Sequence, residues 1–138
     1  MSKNIGLVGG RFQACPGTAN CVSSQEARGG NYFVEPLRYE GDLERAKGVL
    51  AELLQALPRT RFATKQDNYW HVEFSSRLFG FVDDLELLFD PVNQVIHVRS
   101  AARTGTYDWG VNSRRVEKIR RDLMDRLRER RPAAAPAA

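Results

Sequence analysis

The sequence predicts an α+β two-layer sandwich, a mainly antiparallel sheet with two helices packed on one face. Three observations predict it. Two segments carry one apolar stripe at three- and four-residue spacing, several others alternate apolar and polar residues, and turn formers separate them in the order β-α-β-β-β-β-α. A helix with one apolar stripe needs one packing partner, and alternating strands offer one apolar face to supply it. The 138 residues suit a single domain, and 42% apolar against 28% charged residues excludes whole-chain disorder. No apolar run is long enough to cross a membrane, and Ile5–Val8 is too short for a secretory core, so a cytoplasmic protein is expected.

Residues 1–30 read as an irregular N-terminal arm punctuated by Gly9, Gly10, Pro16, Gly17, Gly29 and Gly30, with Cys15 and Cys21 inside it. Residues 31–131 form the single α+β domain. Asn31–Tyr39 is the first strand on the propensity of Tyr32, Phe33 and Val34, with Pro36 marking an edge or end. Asp42 caps a helix to Leu57 whose stripe is Leu43, Ala46, Leu50, Leu53 and Leu57, and Pro58 stops it. Thr60–Lys65 and Tyr69–Leu78 are strands. Phe81–Phe89 and Gln94–Ala101 form a hairpin across Asp90–Asn93. Asn112 caps the last helix, with Val111 stapled to Val116 and a stripe of Val116, Ile119, Leu123 and Leu127. Residues 132–138, a Pro/Ala tail, are expected to be disordered.

The formal charge of +4 is concentrated. Residues 112–131 hold nine basic and four acidic side chains, so the rest of the chain is near neutral. That basic C-terminal helix either meets nucleic acid or anionic lipid weakly and with steep salt dependence, or is a solvated face with pairs such as Glu117 to Arg121 and Asp122 to Arg126. The second reading is preferred, and nucleic acid is not an expected partner.

Adjacent strand residues point to opposite faces. Asp83 shares its face with Phe81, Leu85 and Leu87, so it needs a partner there. Arg115, on the sheet side of the last helix, makes a structural ion pair with it, or Arg103 does. Asp84 and Glu86 share the other face with His97 and Arg99 on the paired strand. Arg99 is expected to reach this polar face and hold a carboxylate or phosphate in its planar fork. The polar loop from Arg99 to Asn112 opens onto a helix start, so Asp84, Glu86, His97, Arg99, Arg103 and Asn112 are the candidate ligand-binding residues. Cys15 and Cys21 read as free thiols, as a disulfide, or as metal ligands. With His71 and His97 they fit no closed zinc pattern, so neither metal nor cofactor is expected, and His71 and His97 read as ordinary strand histidines. No nucleophile elbow and no phosphate-binding glycine loop appears, and no catalytic residue is assigned.

Four blocks, Cys15–Ser24, Ser76–Glu86, Ile96–Gly105 and Asp108–Val116, resemble the bacterial and plastid proteins grouped as domain of unknown function 1499. The resemblance covers roughly residues 12 to 128 in order. It implies no particular activity. Many members look exported or membrane-tethered, and Ala19 stands where a second proline is often seen in them.

The leading functional reading is a small non-enzymatic binding or accessory domain for an anionic small molecule or a partner protein. The alternatives are an enzyme with Asp84, Glu86 or His97 as acid/base groups and Arg99 or Arg103 as clamp, and weak nucleic-acid or membrane association through the last helix.

Overall fold

The computed structural model describes residues 4–129. The Pro/Ala tail expected at 132–138 lies outside the described residues. Ten elements follow one another: β1 (Leu7–Val8), β2 (Arg11–Phe12), β3 (Cys21–Ser23), β4 (Leu37–Arg38), α1 (Leu43–Ala56), β5 (Thr60–Lys65), β6 (Tyr69–Ser75), β7 (Val82–Asp90), β8 (Val95–Ala102) and α2 (Val111–Glu129). The main sheet is antiparallel with strand order β3-β8-β7-β6-β5, and β4 also pairs with β8. Both helices cover one face, so the predicted α+β sandwich is the fold.

The predicted stripes form the core. Ala46, Leu50 and Leu53 of α1 meet Val116, Ile119, Leu123 and Leu127 of α2 over Trp70, Val72, Leu85, Leu87, Phe89, Ile96 and Val98 of the sheet. Asp42 caps α1, accepting from the Arg45 amide at 3.2 Å. In α2 the cap differs from the expectation. The Asp108 carboxylate accepts from the Gly110 amide at 2.8 Å and the Asn112 amide at 3.0 Å, so Asp108 caps and Asn112 lies in the first turn.

The N-terminal third is more ordered than composition implies. Gly9 and Gly10, at φ of +60° and +75°, make the two-residue turn of a small β1–β2 hairpin in which Leu7 faces Phe12. Cys21–Ser23, inside the segment read as irregular, joins the main sheet against Arg99–Ala101. The strand expected at Asn31–Tyr39 shrinks to Leu37–Arg38, because the chain before it turns back. Val34 donates its amide to the Ser23 carbonyl, while the carbonyls of Glu35 and Pro36 are taken by Arg120 of α2.

Two other boundaries shift. β6 ends at Ser75 and β7 starts at Val82, leaving 76–81 as a turn, with Phe81 more than half exposed instead of on the core face. The pairs on α2 are Arg120 with Glu117 and Lys118 with Asp122, not the expected Glu117–Arg121 and Asp122–Arg126.

Candidate functional site

The register of the three central strands sets the chemistry of the face away from the helices. Glu73 lies directly opposite Asp84, and Glu86 directly opposite both His71 and Arg99. Facing carboxylates repel, so Glu73 and Asp84 need a cation between them. Arg103 provides it from just beyond β8. Its Nε and Nη2 donate to Asp84 at 2.8 Å each, and Nη2 also donates to Glu73. His71 Nε2 lies 2.6 Å from Asp84 Oδ1. Arg61 Nη2 lies 2.7 Å from Glu73 on its outer side.

These contacts fix the protonation states. Burial pushes the Asp84 carboxyl up, but hydrogen bonds and positive charge from Arg103 and His71 outweigh it and bring its pKa down to about 2. Burial also acts upward on Glu73, and Arg103 and Arg61 reverse it to a net lowering. The hydrogen bonds to Asp84 hold Arg103 above the usual arginine range, against its partial burial.

A second cluster sits one step along the sheet. Glu86 is fully buried and accepts from Tyr69 Oη at 2.6 Å, the Gly6 amide at 3.0 Å and Arg99 Nη1 at 3.3 Å. Arg99 completes its set by donating Nε to the Gln13 carbonyl at 3.0 Å and Nη2 to the Ala14 carbonyl at 3.4 Å. Burial and the Glu86 hydrogen bond raise the Tyr69 hydroxyl well above the usual phenol value. The arm thus covers this part of the face. A Cys15–Cys21 disulfide, Cα atoms 5.7 Å apart, closes the arm where it enters β3.

The six ligand-binding candidates therefore do not all converge. Asp84 and Arg103 come together. Glu86 and Arg99 come together under the arm, where Arg99 is 1% exposed, so the expectation that Arg99 reaches a ligand on an accessible face is corrected. The cause is the arm, whose backbone carbonyls are bound by the guanidinium. His97 lies at the far end of the sheet against Asp90 at 3.3 Å and Ser24 at 3.4 Å. Asn112 is on the helix side and fully buried. It accepts from Ser100 Oγ at 2.6 Å and Arg115 Nη1 at 2.7 Å, and donates to Asp108 at 2.8 Å and to the Asn20 carbonyl at 3.3 Å. With its side chain so committed, Asn112 ties the loop to β8. Asp83 and Arg115 stand 2.9 Å apart on the helix side, each side chain about four-fifths buried.

Glu73, Tyr69 and Asn20 are the residues that sequence reasoning passed over. Glu73 shares the face of His71 and alternates with Val72 and Phe74 in the strand pattern, but only the β6–β7 register sets it against Asp84. A cleft of about 470 Å³ opens between the arm and the end of β8, lined by Pro16, Asn20, Asp84, Arg99, Arg103 and Thr104 among others. Asn20 Nδ2 donates to the Gly105 carbonyl at 2.8 Å and so fixes its rim. A larger depression of about 940 Å³ lies at the opposite end, between the start of α1 and the last turns of α2. None of the predicted site residues lines it. His71, Glu73 and Asp84 bring one ligand atom each within 4.8 Å of one another. Arg103 already bridges both carboxylates, so a cation there would meet a guanidinium.

Fold and site together define a two-layer α+β domain whose charged face is neutralised from within and capped by a disulfide-closed arm. The family model for a protein of unknown function (DUF1499) matches residues 11–123, and the chain belongs to that family. No curated protein matches it. No described helix is long and apolar enough to cross a membrane.

Proposed function

We propose that the chain is a small non-enzymatic binding domain and that the cleft at Arg103 takes an anionic small molecule or a carboxylate-bearing segment of a partner protein. The observation that carries this reading is the cleft itself. Its volume lies in the range of small-ligand sites, and the Arg103 bonds among the described residues use Nε and Nη2 and leave Nη1. An incoming anion would dock on that nitrogen beside the Asn20 and Thr104 rim.

The enzyme reading rests on the His71–Asp84 contact at the cleft margin. Both Asp84 oxygens are already acceptors, Oδ1 facing His71 and Arg103 Nη2 and Oδ2 facing Arg103 Nε, which suits a held structural carboxylate better than an acid/base group. The reading through α2 is weakened because Arg114, Arg115 and Arg120 are engaged within the molecule. Arg130 and Arg131 lie outside the described residues. A cytoplasmic setting would keep the cysteines reduced and leave the arm held by its hydrogen bonds alone.

Calorimetric titration with inorganic phosphate and with short dicarboxylates tests the proposal. Binding in the high-micromolar range is expected, lost in Arg103→Ala and weakened in Arg103→Lys, with melting followed in parallel. Binding that survives Arg103→Ala, or its absence for every anion with a folded wild-type chain, rejects the cleft as the site.

A further inference from the structure

The end of the sheet where β7 begins and β8 finishes carries two turns, residues 76–81 and 103–110. The register holds them at one edge, since Ser75 faces Val82, Asp83 faces Ala102 and the Arg103 amide donates to the Val82 carbonyl at 3.0 Å. Of the nine large apolar side chains that stand exposed among the described residues, six are here: Leu78, Phe79, Phe81, Tyr107, Trp109 and Val111. Phe79 and Phe81 pair at 5.6 Å, and Tyr107 and Trp109 at 4.9 Å. Such density at one end of a small domain marks an interaction surface.

Trp109 adds a separate observation. Its backbone is left-handed at φ +57°, a conformation that non-glycine residues rarely hold, and Arg114 Nη1 secures it by donating to its carbonyl at 2.7 Å. The fold therefore maintains local strain to present an indole that is 78% exposed. Helix capping alone needs no tryptophan there.

Charge selects the kind of partner. Around these turns stand six arginines (Arg59, Arg61, Arg77, Arg103, Arg114 and Arg115) and four carboxylates (Glu73, Asp83, Asp84 and Asp108). Every carboxylate is engaged: Glu73 by Arg61 and Arg103, Asp83 by Arg115, Asp84 by Arg103, and Asp108 by the start of α2. Arg59 and Arg114 donate to backbone carbonyls and keep their charge unpaired, and Arg77 has no partner among the described residues. The exposed rings line neither of the two cavities described above.

We propose that this aromatic tip inserts into the headgroup layer of an anionic lipid bilayer. Tryptophan and tyrosine suit that layer because an apolar ring carries a polar edge, phenylalanine and leucine reach the acyl boundary, and unpaired arginines meet acidic headgroups. The exposed rings adjoin the Arg103 cleft without lining it, and they lie at the start of α2, away from Arg121 and Arg126.

Vesicle sedimentation of the full chain tests this, with phosphatidylcholine alone and with about 30% phosphatidylglycerol added. Binding to the anionic vesicles should be roughly tenfold stronger, and the emission of Trp109 should shift to the blue. Trp70 is buried, so Trp109→Phe should remove the shift while leaving binding nearly intact. The pair Phe79→Ser and Trp109→Ser should weaken binding by roughly tenfold or more at unchanged melting, because both side chains are exposed. Arg121→Glu with Arg126→Glu on α2 should leave it unchanged. A folded chain that stays in the supernatant with anionic vesicles overturns the proposal. So does binding that is insensitive to the Phe79 and Trp109 changes, or self-association that those changes abolish without any vesicle binding.

Discussion

On the helix side of the sheet, Val72, Leu85, Leu87, Ile96 and Val98 are sealed by α1 and α2; one residue along the same strands, Glu73, Asp84, Glu86 and Arg99 are sealed by their own cross-strand partners and the arm. The two faces are comparably dry at their centres but are held by different forces. The first is cohesive wherever apolar surface meets apolar surface. The second is stable only if each charge finds its mate, so it depends on register and on the arm lying in one place. The apolar face tolerates imprecision and the charged face does not.

The neighbours Glu86 and Leu87 give the largest test of that contrast, since they are adjacent on β7, equally buried and on opposite faces. Leu87→Ala should cost about 2–5 kcal/mol by leaving a cavity under the helices. Glu86→Ala should cost about 3–5 kcal/mol, because Arg99 is left charged with no counter-ion in a buried site. The paired change Glu86→Met with Arg99→Met should recover much of that loss, since well-packed apolar residues replace a buried ion pair at little net cost. Urea unfolding of the three variants measures all of this. A Glu86→Ala protein as stable as the parent would show that water reaches this face and that the two faces are unequal in burial.

Acid separates the faces next. Asp84 has a folded pKa of about 2 against an ordinary value of 3.8. A lowered folded pKa means that the group stabilises the fold fully above its unfolded value and loses that contribution as pH falls from about 4 to 2. The shift corresponds to roughly 2 kcal/mol. Melting followed from pH 6 down to 2 should therefore fall in that window, and Asp84→Asn should flatten the acid limb while lowering stability at neutral pH. The apolar face contributes no such slope. An unchanged acid limb in Asp84→Asn would place the titrating group elsewhere.

The same contrast explains what could be read from the sequence. Apolar periodicity alone locates both helices, the four long strands and most of the core, because burial of a stripe is a local property of the chain, but it passes over Val49 and Leu54 of α1 and Leu37. The facing of Asp84 and Glu86 away from the helices follows from parity in the same way. Which arginine would meet which carboxylate does not follow from parity. Arg99 and Arg103 both stand on or just beyond β8, and the segment that hides Arg99 lies more than eighty residues away in the chain. Phe81 has the parity of Leu85 and Leu87 in the sequence, but the turn after β6 runs one residue past Gly80 and β7 begins only at Val82. The β1–β2 hairpin carried a usable signal, Gly9-Gly10 after the apolar Leu7-Val8, but each strand is only two residues long.

The smallest effect is expected where the two faces meet, at the loop before α2. Asn112 stands close before the apolar stripe and is the cap that the sequence alone favours. The fold instead uses Asp108, because Asn112 is drawn into the junction between Ser100, Arg115 and the Asn20 carbonyl. Burial acts upward on the Asp108 carboxyl, but bonds from the Asn112 amide and side chain and the Gly110 amide bring its pKa below the usual carboxylate range. Asp108→Ala should remove a cap worth about 1 kcal/mol. Asp108→Asn should keep most of it, since an amide oxygen still accepts from the two backbone amides. Asn112→Ala should cost more than either, because it strands the buried Ser100 hydroxyl and loosens Arg115. Thermal melts of the three variants fix the order. If Asp108→Ala proves the most damaging, the loop is held by its cap and not by the buried asparagine, and the junction between the faces is weaker than its hydrogen bonds imply.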